Sequence, residues 1–464
     1  MRFTKAVSIA ITLFMLLTLS ACTQTPQSTR DTSALLTRYS DMPLSGEDVE
    51  IGSHDDEYGF HIVNRIAFTH PRDYSSKHVA HSYQTLKTDI QKMIYDKVVD
   101  ACYCFSDEMV AGDTTYRMRP ITLSGTDHTG SEVEAAIIAA FDDHPEIFWM
   151  DYLFDLRYDT AADITELVLH AEYTADQVVK MMRELDAAFA VFYEEMPKEL
   201  SEYEREVYVY KYIIDHCVYD ENVIDNIEYE NSHPSLFNLY GVMVDHQAVC
   251  EGYAYTFDYL CSELGIDTVC VGGTAVIEED GADVTDTLHL WNAVELDGEW
   301  YQVDVTWDDL DDEDIKDVFV YLNVTDQVMA QDHTTDKTYN EITDAEYDRL
   351  ECYINNFLPA PCTATDYCYY LREGILLSAP DVDVLRDGFV QAGQKRASAL
   401  MINTGSDTTV QALCDALFDG DQPYYQAIDK ANTALADAPL DTNADAVYYS
   451  YDDRGLIVFE MPYR

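Results

Sequence analysis

The chain has 464 residues, 47% of them hydrophobic and 12% aromatic, and a formal net charge of −59 at pH 7. This hydrophobic content is enough to form the cores of about two or three ordinary domains, and it excludes a chain that is disordered over most of its length. The negative charge repels phosphate groups, so it disfavours nucleic acids and anionic lipid surfaces as partners.

The first 50 residues have the features of a targeting segment and a tether. Arg2 and Lys5 flank the start of an apolar run over residues 6–19, which is shorter than a membrane span and typical of a signal peptide. The run ends in Leu19-Ser20-Ala21-Cys22, which resembles the lipobox of bacterial lipoproteins. The resemblance implies cleavage after residue 21 and a lipid on Cys22; ordinary secretion with an incidental cysteine is the alternative. The polar residues 23–50 indicate a flexible tether.

Helical signals follow in chain order. Residues 55–130 give a mixed pattern that predicts a small α+β layer, with a helix-like stretch from Lys87 to Val99. Three later segments begin with a capping box, in which Ser or Thr is followed three residues later by Glu or Gln. These pairs are Ser131 and Glu134, Thr174 and Gln177, and Ser201 and Glu204. The last pair leads into an apolar stripe that is most simply core, namely Val207, Tyr210, Ile214 and Cys217.

Cys250 begins a further helical pattern. A stripe at helical spacing follows it, and Gly265 stands where a C-terminal cap belongs. The stripe consists of Tyr253, Phe257, Leu260, Cys261 and Leu264. A cysteine in the first turn of a helix lies at the positive end of the helix dipole, which favours the thiolate. The next segment, Thr268 to Gly272, predicts a short buried strand.

A β-hairpin is predicted next, around Asp297-Gly298, which is a strong signal for a two-residue type I′ turn. In the register set by this turn, His289 lies opposite Thr306. Trp291 lies opposite Asp304 in the same register. His289 and Asp304 are then diagonal neighbours on one face, with backbones roughly 7–8 Å apart. A thiol, an imidazole and a carboxylate are the parts of a nucleophilic acyl-transfer site.

Each of the three residues also has an ordinary explanation. Cys250 alone would be a small buried hydrophobe, His289 a strand histidine with satisfied hydrogen bonds, and Asp304 a surface acid near a turn. Together they favour catalysis, because a core does not require His and Asp in diagonal register on the less apolar face of the hairpin.

Other motifs are weaker. Cys102-Tyr103-Cys104 lacks the spacing usual for zinc. The acidic run from Asp308 to Asp314 does not match the EF-hand spacing and favours a solvated loop. We therefore predict no metal site and no cofactor. Further along, the pattern predicts a strand at 399–402, a helix near 410–418 and a closing hairpin around 453–455.

The segment from about Ser201 to Leu310 resembles the transglutaminase-like superfamily, a papain-related thiol fold found in bacterial surface proteins. The resemblance is carried by the blocks Ala248–Ala254, Gly272-Gly273, His289–Asn292 and Trp300–Trp307. It implies that Cys250 is the nucleophile, His289 the base and Asp304 the third member of a triad. It also makes Tyr219 and Gln247 candidates for stabilising the oxyanion. Leu290 departs from the pattern, since many members carry a smaller residue there.

We accordingly expect an α+β fold with a transglutaminase-like core, in which the helix that begins at Cys250 packs on an antiparallel sheet. The expected parts are a signal peptide (1–21), a tether (22–50), an N-terminal accessory α+β region (51–200), the catalytic core (201–330) and a C-terminal accessory region (331–464).

The expected function is that of a thiol enzyme acting on amide bonds, by peptide hydrolysis or by transamidation that crosslinks proteins. Its expected partners are a peptide or protein substrate and, through the lipid on Cys22, the outer face of a bacterial cytoplasmic membrane. The alternative is a non-catalytic surface module that keeps the same fold for binding.

Overall fold

The computed structural model describes residues 51–463, apart from 66–67, 71–73, 112–113, 224–226, 280–281, 310–314, 339–340, 342–353, 406–407 and 436–438. The predicted signal peptide, Cys22 and the predicted tether lie outside the described residues. In the described part of the chain, no helix combines the length and the apolar character that crossing a membrane would need.

The α-helices are numbered in chain order. They are α1 (His81–Thr85), α2 (Asp89–Ala101), α3 (Gly130–Asp142), α4 (Ala175–Glu195), α5 (Glu202–His216), α6 (Ile227–Ser232), α7 (Cys250–Glu263), α8 (Asp326–Met329), α9 (Tyr369–Glu373), α10 (Val382–Lys395), α11 (Val410–Phe418) and α12 (Pro423–Ala431).

The strands are numbered in the same way. They are β1 (Ser53–Asp55), β2 (His61–Val63), β3 (Cys104–Met109), β4 (Tyr116–Met118), β5 (Ile121–Ser124), β6 (Met150–Asp159), β7 (Ile164–Ala171), β8 (Val218–Tyr219), β9 (Gln247–Ala248), β10 (Asp267–Glu279), β11 (Ala282–Leu296), β12 (Glu299–Val303), β13 (Leu322–Val324), β14 (His333–Thr335), β15 (Ile375–Leu376), β16 (Ala399–Asn403), β17 (Tyr448–Tyr451) and β18 (Leu456–Glu460).

The chain divides into two compact units. The first contains the described parts of Met1–Glu295 together with Asp332–Ala360. The second contains the described parts of Leu296–Gln331 together with Pro361–Arg464.

The first unit begins with an antiparallel sheet in the order β1-β2-β3-β4-β7-β5, and β6 also pairs with β7. Helices α2 and α3 pack against each other, and α4 packs on β1 and β2. Apolar faces of these elements form the core around Phe105, Phe189 and Trp149, all of which are buried. The α+β layer predicted for residues 55–130 is therefore confirmed.

The later part of the first unit is built around α7, which packs against α5 and β10. Strand β10 pairs antiparallel with β11 on one side and with β14 on the other. All five residues of the predicted α7 stripe are buried. Gly265 follows the helix with a φ of +81°, the left-handed conformation of a glycine cap. The expected fold class is confirmed, because a helix that begins with cysteine packs on an antiparallel sheet.

Two of the three predicted capping boxes are present. Thr174 caps α4 and Ser201 caps α5, each with its reciprocal partner three residues later. The box at Ser131 is wrong. Helix α3 begins at Gly130, and the hydroxyl of Thr129 accepts the hydrogen bond from the backbone N–H of Glu132. Two pairs with capping-box spacing overlap here, Thr129 with Glu132 and Ser131 with Glu134, and spacing alone does not decide between them.

The predicted stripe of α5 is confirmed for two of its four residues, since Tyr210 and Cys217 are buried. Val207 and Ile214 are only half-buried, whereas Val209 and Ile213 are buried. Residues 207–210 and 212–214 of this helix are continuous runs of apolar and aromatic residues, so periodicity alone did not decide which of them face the core.

The second unit contains β12 paired with β13 and a further sheet in the order β15-β16-β18-β17. Its core lies between that sheet and α10, α11 and α12, with Phe389, Tyr424 and Phe459 buried at the centre. The predicted strand at 399–402 is β16, the predicted helix at 410–418 is α11, and the predicted closing hairpin is β17 with β18. These three predictions are confirmed.

Candidate active site

Cys250 is the first residue of α7, and only 3% of its surface is exposed. The residue before it, Val249, is extended and gives the helix no side-chain cap. The thiol of Cys250 donates a hydrogen bond to Oε2 of Glu251 over 3.1 Å, and both residues are buried. The helix start therefore brings a thiol and a carboxylate into contact within one turn.

The start of α7 is fixed in place by the chain on either side of it. The backbone N–H of Val249 donates to the carbonyl of Leu236 over 3.0 Å. A Cβ at Gly252 would lie 2.7 Å from that same carbonyl oxygen and 2.7 Å from the Cβ of Ala248. Only glycine lets the first turn of the helix approach the Leu236 backbone this closely, so Gly252 sets the position of the sulfur.

Strands β8 and β9 lead into this helix as a short parallel pair, with Tyr219 opposite Ala248. Tyr219 is half-buried and packs on an apolar cluster of Val223, Leu236 and Val249. Gln247 lies three residues before Cys250 with an exposed side chain. The structure thus places Tyr219 on the strand that pairs with the residues leading to Cys250, while the oxyanion role of Tyr219 and Gln247 stays a prediction.

His246 is a buried imidazole that holds β9 in register. It adopts a left-handed φ of 61°, and its Nδ1 is 3.0 Å from the carbonyl oxygen of His216. Burial lowers the pKa of His246, so the ring is neutral and donates this hydrogen bond from Nδ1. Its own carbonyl accepts from the backbone N–H of Val218 over 3.1 Å. His246 therefore ties the end of α5 to the residues that precede Cys250.

His289 lies on β11, directly opposite Gly273 on β10, and is buried. Its strand is docked onto α7 by Asn292, whose side-chain N–H donates to the carbonyl of Ala254 over 3.0 Å. Ala254 is one helical turn beyond Cys250. The hydrogen bond therefore fixes the strand that carries the imidazole to the first turns of the helix that carries the sulfur.

Asn292 is a functional residue that the family motif contains but that sequence reasoning missed. The signal was available, because an amide between Trp291 and Ala293 interrupts an apolar strand. A buried amide needs partners, and the side chain of Asn292 finds them in the carbonyl oxygens of Ala254 and Val269.

A second histidine, His333 on β14, was missed altogether. The ring centroids of His289 and His333 are 5.4 Å apart, and both rings contact Trp291. Nδ1 of His333 lies 2.6 Å from Oδ1 of Asp332. A single histidine in a three-residue strand gives no sequence pattern, and only the pairing of β14 with β10 brings it here.

Gly273 makes this approach of β14 possible. A Cβ at position 273 would overlap the carbonyl oxygen of Thr334 and lie 2.7 Å from the indole of Trp291. The glycine at this position of the family block is therefore explained by steric contact. Both β14 and the indole of Trp291 approach β10 at Gly273, where no side chain fits.

Asp304 directly follows β12 and is fully buried. One carboxylate oxygen, Oδ1, accepts hydrogen bonds from the backbone N–H groups of Thr306 over 2.9 Å and Trp307 over 3.1 Å. Asp304 is therefore an oriented internal carboxylate and not the surface acid of the ordinary explanation.

The predicted type I′ turn is confirmed, since Asp297 and Gly298 have φ values of 52° and 86° between β11 and β12. The predicted continuation of the strand to Thr306 is wrong. Strand β12 ends at Val303 and residues 305–308 form a turn. The carboxylate of Asp304 takes the N–H groups that a longer strand would have used, so the chain leaves the ladder at this point.

The acidic run that begins at Asp308 is not wholly solvated. The Asp308 carboxylate is buried and accepts from the backbone N–H groups of Val320 and Tyr321, each over 2.9 Å. The prediction of a solvated loop is wrong for this residue, because its carboxylate binds the backbone of residues 320–321, where the chain comes back to it. Asp309 is half-buried, and residues 310–314 of the run lie outside the described residues.

Within the first unit, one ring nitrogen of His289 lies within 4.8 Å of one ring nitrogen of His333, a separation at which the two could hold one metal ion. The prediction that the chain needs no metal or cofactor stays a prediction. Within the described residues the cysteines are free thiols, including Cys102 and Cys104, so the described fold does not rest on disulfides.

Residues 192–305 match the family model of the transglutaminase-like superfamily, a range that includes Cys250, His289 and Asp304. The chain therefore contains a transglutaminase-like domain.

Among solved structures, the chain is similar to a proposed cysteine protease from Cytophaga hutchinsonii and to a protein described as a TGase. The first is 13% identical over 33% of this chain and 61% of its own, with a TM-score of 0.20. The second is 16% identical over 34% of this chain and 45% of its own, with a TM-score of 0.22. Both TM-scores are low, so neither likeness carries an argument about activity. A comparison with curated proteins found no match.

Proposed function

We propose that the protein is a thiol enzyme that cleaves or exchanges amide bonds of peptides or proteins through an acyl-enzyme. Cys250 is the nucleophile, His289 the base and Asp304 the residue that orients the imidazole. The observation that carries the proposal is the hydrogen bond from Asn292 to Ala254, which attaches the strand of His289 to the helix that begins at Cys250.

The environment of the sulfur supports nucleophilic chemistry. Cys250 stands at the positive end of α7, where the helix dipole stabilises a thiolate. Backbone N–H groups of a first helical turn are also the donors that stabilise a developing oxyanion. Tyr219, on the strand beside the approach to this turn, is the side chain proposed to assist them, with Gln247 as the second candidate.

The reaction proceeds in two steps. In the first, the sulfur–hydrogen bond of Cys250 breaks, His289 takes the proton, and the sulfur forms a bond to the amide carbon of the substrate. The carbon–nitrogen bond then breaks, and the leaving amine receives the proton from His289. In the second step, water or another amine attacks the thioester and releases Cys250. Water gives hydrolysis, and an amine gives transamidation.

The proposed part of Asp304 rests on its burial and on the turn between β11 and β12. Two backbone N–H groups hold one oxygen of its carboxylate in a fixed orientation. A carboxylate held in this way stabilises an imidazolium better than a mobile one, because no free energy is needed to orient it during the reaction.

The place of action is proposed from the sequence of the N-terminus. A lipid on Cys22 would anchor the protein to the outer face of the bacterial cytoplasmic membrane and leave the catalytic domain on a tether. Growth on a labelled fatty acid tests this: wild-type protein should carry the label, and a Cys22→Ala protein should not.

The activity is tested with a peptide library and a labelled primary amine in one assay, which records released peptide and incorporated amine together. Either product supports the proposal, and their ratio decides between hydrolysis and transamidation. A thiol-reactive probe followed by peptide mapping should modify Cys250 before the other thiols. If Cys250 reacts no faster than free cysteine, the site is not catalytic and the fold serves binding.

A further inference from the structure

Two buried imidazoles lie on one face of the sheet formed by β11, β10 and β14, and the acyl-transfer mechanism above uses only one of them. His289 on β11 lies opposite Gly273 of β10. His333 on β14 lies opposite Ala275 of the same strand. Paired residues of antiparallel strands project to the same face, and so do residues two positions apart along one strand. Both histidines therefore lie on one face, with only β10 between them.

The strand between the two rings carries almost no side chain at this point. Gly273 has no Cβ, and Ala275 contributes one buried methyl group. The rings therefore lean toward each other across β10, and one ring nitrogen of His289 lies within 4.8 Å of one ring nitrogen of His333. Two nitrogens on one tetrahedral zinc ion are about 3.4 Å apart, given Zn–N bonds of about 2.0–2.1 Å. A shift of about 1 Å or less by each ring thus closes the remaining gap.

Neighbouring groups hold both rings in orientation. The buried indole of Trp291 stacks on the ring of His289 and lies nearly perpendicular to that of His333, with ring centroids 6.0 Å and 5.1 Å apart. Nδ1 of His333 is 2.6 Å from Oδ1 of Asp332. A neutral imidazole that donates from Nδ1 to a carboxylate carries its lone pair on Nε2, which is the arrangement usual for a zinc-bound histidine. His333 is therefore oriented for coordination through Nε2.

We propose that His289 and His333 form a binding site for a zinc-like transition-metal ion, and that the bound ion prevents His289 from acting as the base. Imidazole nitrogens are ligands that suit zinc, and water completes its tetrahedral shell. The base needs one ring nitrogen for the proton of Cys250 and the other for the orienting carboxylate. An ion on either nitrogen of His289 removes one of these two roles. The inhibitory effect rests on the proposed function, whereas the site itself does not.

The site is tested by titrating the full-length protein with zinc chloride in competition with a coloured chelator, without any substrate. Loss of an outer carboxylate partner weakens zinc binding by about 10- to 100-fold, so Asp332→Asn should have an effect of this size. His333→Gln removes a coordinating nitrogen, and its effect should be at least as large. His54→Gln removes an exposed histidine of β1 and should leave the affinity unchanged.

Free thiols also bind zinc, so the ligand atoms must be identified. X-ray absorption at one equivalent of zinc should show nitrogen and oxygen neighbours at about 2.0–2.1 Å. A shell dominated by sulfur, at about 2.3 Å, would place the ion on thiols and overturn the site. Equal zinc affinities of wild type and His333→Gln, at similar melting temperatures, would overturn it as well. If His333→Gln does not fold, the comparison of Asp332→Asn with wild type decides in the same way.

The inhibitory effect has its own measurement, which is the rate of peptide release with and without zinc. Zinc should lower the rate of the wild type, and a chelator should restore it. His333→Gln, compared with its own zinc-free rate, should need at least about tenfold more zinc for the same loss. Zinc bound by the two imidazoles with no change in rate overturns the inhibitory role.

Failure of this inference can be told apart from failure of the proposed function. A protein that releases peptide and binds no zinc at the two imidazoles is an enzyme without the site. A protein that binds zinc there, and shows neither peptide release nor amine incorporation in the absence of zinc, has the site and is not the proposed enzyme.

Discussion

The two ends of helix α7 present carboxylates in opposite settings. At the N-terminal end, Glu251 accepts a hydrogen bond from a thiol. At the C-terminal end, Nε2 of His78 lies 2.5 Å from Oε1 of Glu263. A second imidazole, that of His70, contacts the carbonyl oxygen of Glu263 over 2.8 Å. The C-terminal end of the helix therefore has an acid in contact with imidazoles, and the N-terminal end has an acid in contact with the Cys250 thiol.

The difference shows how one helix can serve both structure and chemistry. Imidazoles at a helix C-terminus are favoured by the dipole and also satisfy the last carbonyl groups. At the N-terminus, Glu251 lies in the first turn of the helix, and its carboxylate is in hydrogen-bonding contact with the Cys250 sulfur. The C-terminal end carries stability, whereas the N-terminal end carries the reactivity that we propose.

The largest expected difference in turnover is between two variants of α7, each of which lacks the thiol at one end of the helix. Cys250→Ala should lower the turnover of any amide substrate by at least ~10³-fold, because no other group replaces the nucleophile. Cys261→Ala makes the same chemical change in the buried C-terminal half of α7 and should keep the turnover. Equal losses in the two variants, measured with the same substrate and at similar melting temperatures, would reject the assignment of Cys250.

The second-largest expected effect is on the pH dependence of stability, and it comes from Asp258, which lies between the two ends of α7. Burial raises its pKa to about 7, and the hydrogen bond from the Thr268 hydroxyl only partly opposes this. A raised folded-state pKa contributes stability that is complete below the unfolded pKa, near 3.8, and is lost as the pH rises through about 7. With ~1.4 kcal/mol per unit, the loss is on the order of a few kcal/mol.

Asp258→Asn should remove most of this dependence, because an amide does not ionise and its oxygen can still accept from Thr268. Denaturant titrations at several pH values between about 4 and 8 would measure it. Asp421→Asn, at an exposed position, serves as the control and should retain the wild-type slope. A variant at position 258 that keeps that slope would show that other groups cause it.

A pair of glycine substitutions compares the two ends by steric means. Gly252→Ala places a Cβ against the Leu236 backbone, and we expect a loss of about 1–3 kcal/mol of stability together with at least a tenfold loss of turnover. Gly265→Ala puts a side chain at a φ of +81° and should cost about 1–2 kcal/mol without loss of turnover in the folded protein. If both variants lost turnover, a disturbance at either end of α7 would be shifting the whole helix, and the two ends would not be independent.

The smallest effect is expected at His78. Burial alone would lower its pKa, but the hydrogen bond and charge of Glu263 outweigh this and raise it. Its contribution to stability is therefore complete below about pH 6.5 and is lost as the pH rises through the raised pKa. His78→Gln should lower the melting temperature at about pH 5.5 but not at about pH 9. Because the pair is partly exposed, the change should stay below about 1 kcal/mol.

Local signals were sufficient for much of the fold and for the candidate residues themselves. The stripe of α7, the Asp297-Gly298 turn and the boxes at Thr174 and Ser201 depend on neighbours within a few residues, and all are confirmed. The conformation of a periodic or turn-forming segment is determined largely by its own residues. One sequence was therefore enough to predict that Cys250 begins a helix.

What the sequence did not reveal depends on distant backbone groups. Asp304 and Asp308 look like surface acids until the N–H groups that they accept from are known. Asn292 needs the carbonyl of Ala254, which is 38 residues away in the chain. His333 reaches His289 only through the pairing of β14 with β10. Such roles are properties of tertiary contacts, and no window of local sequence contains them.

The glycine at position 273 offers an experimental handle of a different kind. The two imidazoles lie close together because Gly273 has no side chain, which lets β14 approach β10. A change from Gly273 to alanine would push β14 outward without altering either ring. The distance between His289 and His333 could thereby be changed while both side chains stay the same. A graded set of substitutions at this one point could show how far a neighbouring ring tunes the proposed base.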